Sequence, residues 1–342
     1  MPDMMDAADI AFPHLGIYLK NVPKEFSVFG YTITLYAIII AAGVLLAVKT
    51  CELVAKKIGE DGEIYWDIFV PLVFISVIGA RVYYVIFSWD RIYKYDPISV
   101  FYIHQGGLAI YGGVLTGFAT LAVLARIKKR SFLEITDMVM FGLLVGQCVG
   151  RWGNFTNREA FGQYTDSLFA MRLPLEAVRS GEITESIAEH FISGTNYIQV
   201  HPTFLYESCW NLALLVIMLL YVKHRRYKGE MILIYLGGYG LGRAIIEGLR
   251  TDQLKLWGTD IPVSQLLGIC LLVFAVVTAV IVRIRLNSKG TEVSDQGSID
   301  EHKDEEISGT DETSDQESIA EHQDEAHQVE KIFKKDENSN SE

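Results

Sequence analysis

Seven stretches of the chain stay apolar long enough to cross the roughly 30 Å core of a bilayer, which takes about 17–25 helical residues. They are Thr32–Val48, Ile68–Trp89, Gly107–Ala125, Phe132–Val149, Thr203–Val222, Met231–Ile246 and Ile261–Val282. The sixth is the shortest and carries charge near its end. The pattern predicts an all-α integral membrane protein with seven transmembrane helices. Two connections are more than turns. Asp90–Gln105 mixes charge with aromatics, as an interfacial arm does. Arg151–His201 is too long for an inert link and predicts a small head.

Lysine and arginine set the orientation. Lys49, Lys56 and Lys57 follow the first span, and Arg126, Lys128, Lys129 and Arg130 separate the third from the fourth. Lys223, Arg225, Arg226 and Lys228 separate the fifth from the sixth, and Arg283, Arg285 and Lys289 follow the seventh. All four clusters fall on one side, expected to be cytoplasmic. Head and arm are then extracellular. The chain divides into an extracellular or interfacial N-terminus (1–30), a membrane domain (31–286) and a cytoplasmic tail (287–342). The first apolar run lacks the basic flank of a cleavable signal peptide and reads as a retained helix.

Charge sharpens this division. The formal charge is −12 although half of the residues are hydrophobic. From Asn287 onward there are 18 acidic and 5 basic residues, leaving 24 acidic and 25 basic in the rest, so the acidity belongs to the tail. That tail holds a near-duplicate, SDQGSIDEHKDEE from Ser294 and SDQESIAEHQDEA from Ser314, with too few apolar residues for a core. It is expected to be disordered. The four cysteines are scattered in or beside apolar runs, and the histidines lack metal-ligand spacing, so neither a disulfide framework nor a metal site is expected. No phosphate loop is present and no nucleic-acid partner is indicated.

Charges inside membrane spans are costly and mark functional candidates. Five groups stand out: Arg81 in GARVYY, Tyr111 in GGLAIYGG, GRWGNFTNREAFG from Gly150 to Gly162, HPTFLYE from His201, and GGYGLGRAIIEGLR from Gly237. Tyr239, Arg243, Glu247 and Arg250 are spaced to form one polar stripe on a helix. The stripe either pairs Arg243 with Glu247 for its own sake or receives an anionic head group. In the third group, Arg151, Asn154, Asn157 and Glu159 lie between glycines that permit tight turns, Gly162 among them. These groups either knit the head to the bundle or bind phosphate, which suits the planar fork of arginine.

Gly150–Gly162 resembles the signature of the bacterial prolipoprotein diacylglyceryl transferase family. Tyr36, GARVYY, GGLAIYGG, HPTFLYE and YGLGRAIIEGLR match it in family order, over roughly residues 25–285. The resemblance implies a seven-helix enzyme of the bacterial plasma membrane that needs no cofactor. It would move the diacylglyceryl group of phosphatidylglycerol onto the lipobox cysteine of preprolipoproteins, forming a thioether and releasing glycerol 1-phosphate. Arg151 and Arg243 would be its essential arginines, with Glu247 and Tyr111 beside them. Tyr36, Arg81, Asn154, Asn157, Glu159, Gly162, His201, Tyr239 and Arg250 would contact substrate. Many members carry histidine, assigned as general base, where this chain has Tyr111. His104, seven residues earlier and outside the span, is no obvious substitute, so the base stays open. The rival class is a transporter, but the inverted halves expected there are not found.

Overall fold

The computed structural model describes residues 4–103 and 106–307. His104 and the second tail repeat from Ser314 lie outside them. The helices are α1 (Leu35–Lys57), α2 (Ile64–Ser88), α3 (Ile110–Ile127), α4 (Phe132–Asn157), the short α5 (Glu185–Glu189), α6 (Thr203–Tyr221), α7 (Glu230–Ile246) and α8 (Val263–Ile307). All except α5 are long and apolar enough to cross a membrane. The chain separates into two compact units, Met1–Ala279 and Val280–Glu342. In the second unit the backbone is helical to Ile307, so helix enters the segment expected to be disordered from Asn287.

Two small sheets join the helices at one end of the first unit, here called the head end. Strands β1 (Ile10–Phe12), β2 (Ile17–Leu19), β5 (Met171–Pro174) and β6 (Tyr197–Val200) form one antiparallel sheet in the order β2-β1-β5-β6. A hairpin of β3 (Glu25–Val28) and β4 (Tyr31–Thr34) leads into α1, where Thr34 caps the helix by accepting from Ala37 N–H at 3.2 Å. The segment read as an interfacial N-terminus thus supplies half of the head sheet. Ile10, Phe161, Leu173, Ile198 and Val200 fill the core beneath it.

Helix α4 is the axis of the bundle. It packs against α1, α3, α6 and α7, and its Ile135, Met138, Phe141 and Leu144, spaced three apart, are fully buried. At the end away from the head, buried Asp137 of α4 reaches across to the start of α7. Its carboxylate accepts from Gly229 N–H at 2.7 Å and from Ile232 N–H at 3.0 Å. Helix α7 begins after Gly229 and has no cap of its own. Its first free N–H groups would otherwise be stranded in an apolar core.

Arg81 of α2 explains the arm. All three guanidinium nitrogens donate to arm carbonyls: Nε to Val100 at 2.9 Å, one terminal nitrogen to Ser99 at 2.7 Å, the other to Gly106 at 2.7 Å and Gly107 at 3.0 Å. Gly107 has φ +74°, and a Cβ there would lie 2.5 Å from Arg81 and 2.8 Å from the Tyr84 ring. Only glycine fits between them.

Asp137→Ala is expected to destabilise the protein by about 2–4 kcal/mol, because two buried donors lose their acceptor. Lys128→Ala, which removes only a surface pair with Asp67, is expected to change stability by less than about 1 kcal/mol. Denaturation in detergent micelles checks the ranking.

Candidate active site

Three helix ends meet at the head end, each carrying polar residues. The last turns of α4 bring Arg151, Asn154 and Asn157, so the first half of the GRWGNFTNREAFG motif is helical. Helix α4 stops at Arg158, whose φ of +55° is followed by +57° at Ala160. Each left-handed residue costs about 1–2 kcal/mol. The turn is held because the buried Arg158 guanidinium donates to the carbonyls of Thr156, Ala8 and Val22. Thr203 Oγ1 donates to the carbonyl of Ala160.

The chain then passes as a short strand between the segments that follow α7 and precede α6. Gly162 N–H donates to His201 O at 3.0 Å, Gln163 N–H to Leu249 O at 2.8 Å, and His201 N–H to Gln163 O at 2.9 Å. A Cβ on Gly162 would lie 2.7 Å from the Cβ of His201 and 2.8 Å from Leu249 O. These bonds fix where α6 and α7 present their charges.

Glu207, on the second turn of α6 and 5 % exposed, is the centre of those charges. Its Oε2 meets Arg151 at 2.5 Å and Arg243 at 3.3 Å, and its Oε1 meets Arg250 at 2.9 Å. Arg243 also pairs with buried Glu247 at 2.7 Å, one turn along α7. Arg250 forks onto Asp252, Nε to Oδ1 at 2.9 Å and NH2 to Oδ2 at 2.7 Å. Burial alone would raise the Asp252 carboxyl, but the hydrogen bonds and charge of Arg250 outweigh it and hold it below the ordinary carboxylate range. Burial likewise opposes the Arg250 charge, yet Asp252, Glu207 and Glu247 push its pKa above the usual value.

The three arginines differ in what remains to them. Arg250 has every nitrogen engaged and a side chain 9 % exposed. Arg151 is paired through one nitrogen only among the described residues, and Arg243 leaves its Nε unengaged. Their side chains are 21 % and 18 % exposed. The cluster therefore presents unspent, partly accessible donors at the end of the bundle.

The remaining candidates arrange themselves around this cluster or away from it. Asn154 and Asn157 both donate to Glu159 Oε1, at 3.0 and 3.3 Å, and Arg179 meets its Oε2 at 3.3 Å. Tyr36 lies against Gly153, near enough to Glu159 and Arg151 to feel both charges. Tyr239 stacks on Tyr235 at 5.5 Å and lies within the electrostatic reach of Arg151. His201 meets the Tyr206 hydroxyl at 3.2 Å, and burial pushes its imidazole below the ordinary value. Tyr111, at the start of α3, is 42 % exposed and hydrogen-bonds nothing among the described residues. Arg81 is spent on the arm. Glu207 and Asp252 were not singled out from sequence. Glu207 carried a usable signal, as the acidic residue within its apolar span.

The fold is that of a multi-pass membrane protein, with a cluster of arginines and carboxylates where its helices meet a small head. The family follows from the sequence comparisons: residues 23–281 match the family model of prolipoprotein diacylglyceryl transferase, and the chain belongs to that family. It is 37 % identical over 265 residues to the phosphatidylglycerol–prolipoprotein diacylglyceryl transferase of Listeria innocua, covering 78 % of this chain and 91 % of that one. Phosphatidylglycerol–prolipoprotein diacylglyceryl transferase 1 of Clostridium perfringens is also 37 % identical, over 78 % of this chain and 97 % of its own. The namesake from Halalkalibacterium halodurans is 35 % identical over 80 % and 86 %.

Glu207→Gln is expected to abolish activity and to lower stability by about 3–5 kcal/mol, since it leaves partly buried guanidinium groups facing one another without their shared anion. Activity assay beside unfolding in micelles checks both effects. A variant that unfolds normally yet stays active would deny Glu207 this role.

Proposed function

We propose that the protein transfers the diacylglyceryl group of phosphatidylglycerol to the lipobox cysteine thiol of preprolipoproteins. The reaction takes place at the extracellular face of the bacterial plasma membrane. The observation that carries this reading is the pairing of Arg151 and Arg243 on one carboxylate oxygen while both retain donors. Two guanidinium groups so placed suit the two free oxygens of a phosphodiester. The positive clusters on the opposite side support an outward-facing head, N-terminus outside and tail inside.

In the reaction, sulfur attacks a glyceryl carbon and glycerol 1-phosphate leaves. Thiolate is the nucleophile, and a free thiol with a pKa of about 8.5 is only a few per cent ionised near neutrality. Arg151 and Arg243 stabilise charge that grows on the departing phosphate, an effect worth about 3–4 kcal/mol per donor in other enzymes. Glu247 fixes Arg243 and Arg250 fixes Glu207, so both position the clamp. Asn154, Asn157 and Glu159 form a second polar group that would contact substrate beside the clamp, as would Tyr36 and Tyr239. Gly162 and His201 set the backbone between α6 and α7. Arg81 serves as anchor of the arm. Tyr111 lies free to orient substrate through its hydroxyl.

Purified protein incubated with phosphatidylglycerol micelles and a lipobox peptide should yield a peptide heavier by one diacylglyceryl group, resistant to hydroxylamine as a thioether is. A transporter would yield none. Arg151→Lys and Arg243→Lys are each expected to lower turnover about 100-fold or more, because a point charge does not replace a fork. Near-normal turnover in both would sink the clamp. Tyr111→Phe should reduce turnover without eliminating it, and a dead, folded variant would make Tyr111 essential. Truncation after Leu286 should leave turnover unchanged, with a large fall pointing to a contact from the tail.

A further inference from the structure

Two hairpins at the head end share a design that the transfer chemistry does not use. One is β3–β4, which leads into α1. The other is the loop Leu254–Pro262, which leads from the Arg250–Asp252 fork into α8. It is closed by a bridge between Lys255 and Pro262, and Leu256 N–H donates to Ile261 O at 2.9 Å. Each hairpin is fastened to the helix that follows it by a matching bond. Leu35, the first residue of α1, donates its N–H to Lys24 O at 2.8 Å. Val263, the first residue of α8, donates its N–H to Leu254 O at 2.8 Å. Both helices are long and apolar enough to cross a membrane, and α8 is the least buried of the seven spans.

The tips match as well. Each is an aromatic residue followed by a left-handed glycine: Phe29 before Gly30 at φ +84°, and Trp257 before Gly258 at φ +76°. Phe29 is itself left-handed, at φ +50°, a conformation that a side chain with a Cβ adopts only at a cost. Phe29 and Trp257 are both 99 % exposed, and large apolar neighbours on the same hairpins are exposed too, Tyr31 on the first and Leu254, Leu256 and Ile261 on the second. The second hairpin cancels its own charge, since Lys255 meets Asp260 at 2.9 Å. Apolar side chains held out together in this way mark an interaction surface. Aromatic rings with an apolar body and a polar edge are favoured where a bilayer meets water. Two such tips, each leading straight into a different span, suit a partner that surrounds the whole bundle. A lipid surface does so, and a single bound peptide does not.

We infer that both hairpins seat in the lipid leaflet at the head end, with Phe29 and Trp257 entering the boundary between head groups and acyl chains. The candidate site is attached to both. Tyr36, on the first turn of α1, lies against Gly153 of α4, and Gln253, next to Leu254, donates through Nε2 to Glu247 O at 2.6 Å. Seated hairpins thereby hold the arginine cluster at the level of the lipid phosphates.

The test reads tryptophan emission from the full-length protein in nanodiscs of equal parts phosphatidylcholine and phosphatidylglycerol. It needs no turnover, so its outcome is independent of the transferase reading. Subtracting the spectrum of Trp257→Phe from that of wild type isolates Trp257. Its emission should lie to the blue of tryptophan in water and lose most of its intensity when the phosphatidylcholine carries bromine near the top of its acyl chains. Iodide in the aqueous phase should leave it nearly unchanged. Phe29→Trp, placed on the Trp257→Phe background, should respond in the same way. Both side chains are fully exposed in the protein itself, so neither substitution removes a packing contact. Emission like that of tryptophan in water, quenched by iodide and untouched by bromine, would overturn the inference at either tip, because the shared design is its basis. Sensitivity to bromine that arises only after a lipobox signal peptide is added would overturn it too, making the tips a peptide contact.

Discussion

One carboxylate holds this site together. Arg151, Arg243 and Arg250 come from two helices and the turn beyond one of them, and like charges about 4 Å apart repel by about 4 kcal/mol at an effective dielectric of 20. Glu207 sits between them and turns that repulsion into a three-way attraction. Because it belongs to α6, while Arg151 belongs to α4 and Arg243 to α7, the same pairs also set how those helices meet. Packing and chemistry here depend on one residue. The backbone knot around Gly162 has the same logic, since it fixes the starts and ends of the helices that carry the charges.

The division of labour among the arginines follows from how many donors each has spent. Arg250 and Arg81 are saturated, one by carboxylates and the other by carbonyls, and saturated guanidinium groups act as struts. Arg151 and Arg243 are undersaturated and more accessible. A buried cation with unused N–H groups is costly to maintain, and in the proposed reaction those groups are the ones that meet the phosphate.

Much of this was legible in the sequence because membranes impose a strong pattern. A run of twenty apolar residues has few alternatives in a bilayer, and all seven spans lie where hydropathy placed them. The weakest by that measure, α7, is also the one carrying the most polar work. The head sheet was invisible because its strands are three or four residues long and β1 finds its partner β5 some 160 residues later. Arg81 and Arg151 gave a similar signal, an arginine within or at the end of a span, and diverged because the carbonyls that saturate Arg81 come from an irregular segment with no periodicity to read. Glu207 was hidden by its surroundings: it ends the HPTFLYE motif, and a single carboxylate at the start of an otherwise apolar span barely changes its hydropathy.

The cap that Asp137 provides for α7 bears on how the protein is made. Helix α7 carries Arg243 into the bilayer with a hydropathy of only 1.2, the lowest of the seven spans. Its start is satisfied by Asp137 of α4, its arginine by Glu207 of α6, and the Trp210 indole of α6 donates to Gly238 O at 2.9 Å. All three partners precede it in the chain. As the polypeptide emerges from the ribosome, the reluctant helix therefore meets a polar berth already waiting in the membrane. For this one helix the gene order doubles as an assembly order, since Asp137, Glu207 and Trp210 are all synthesised before it.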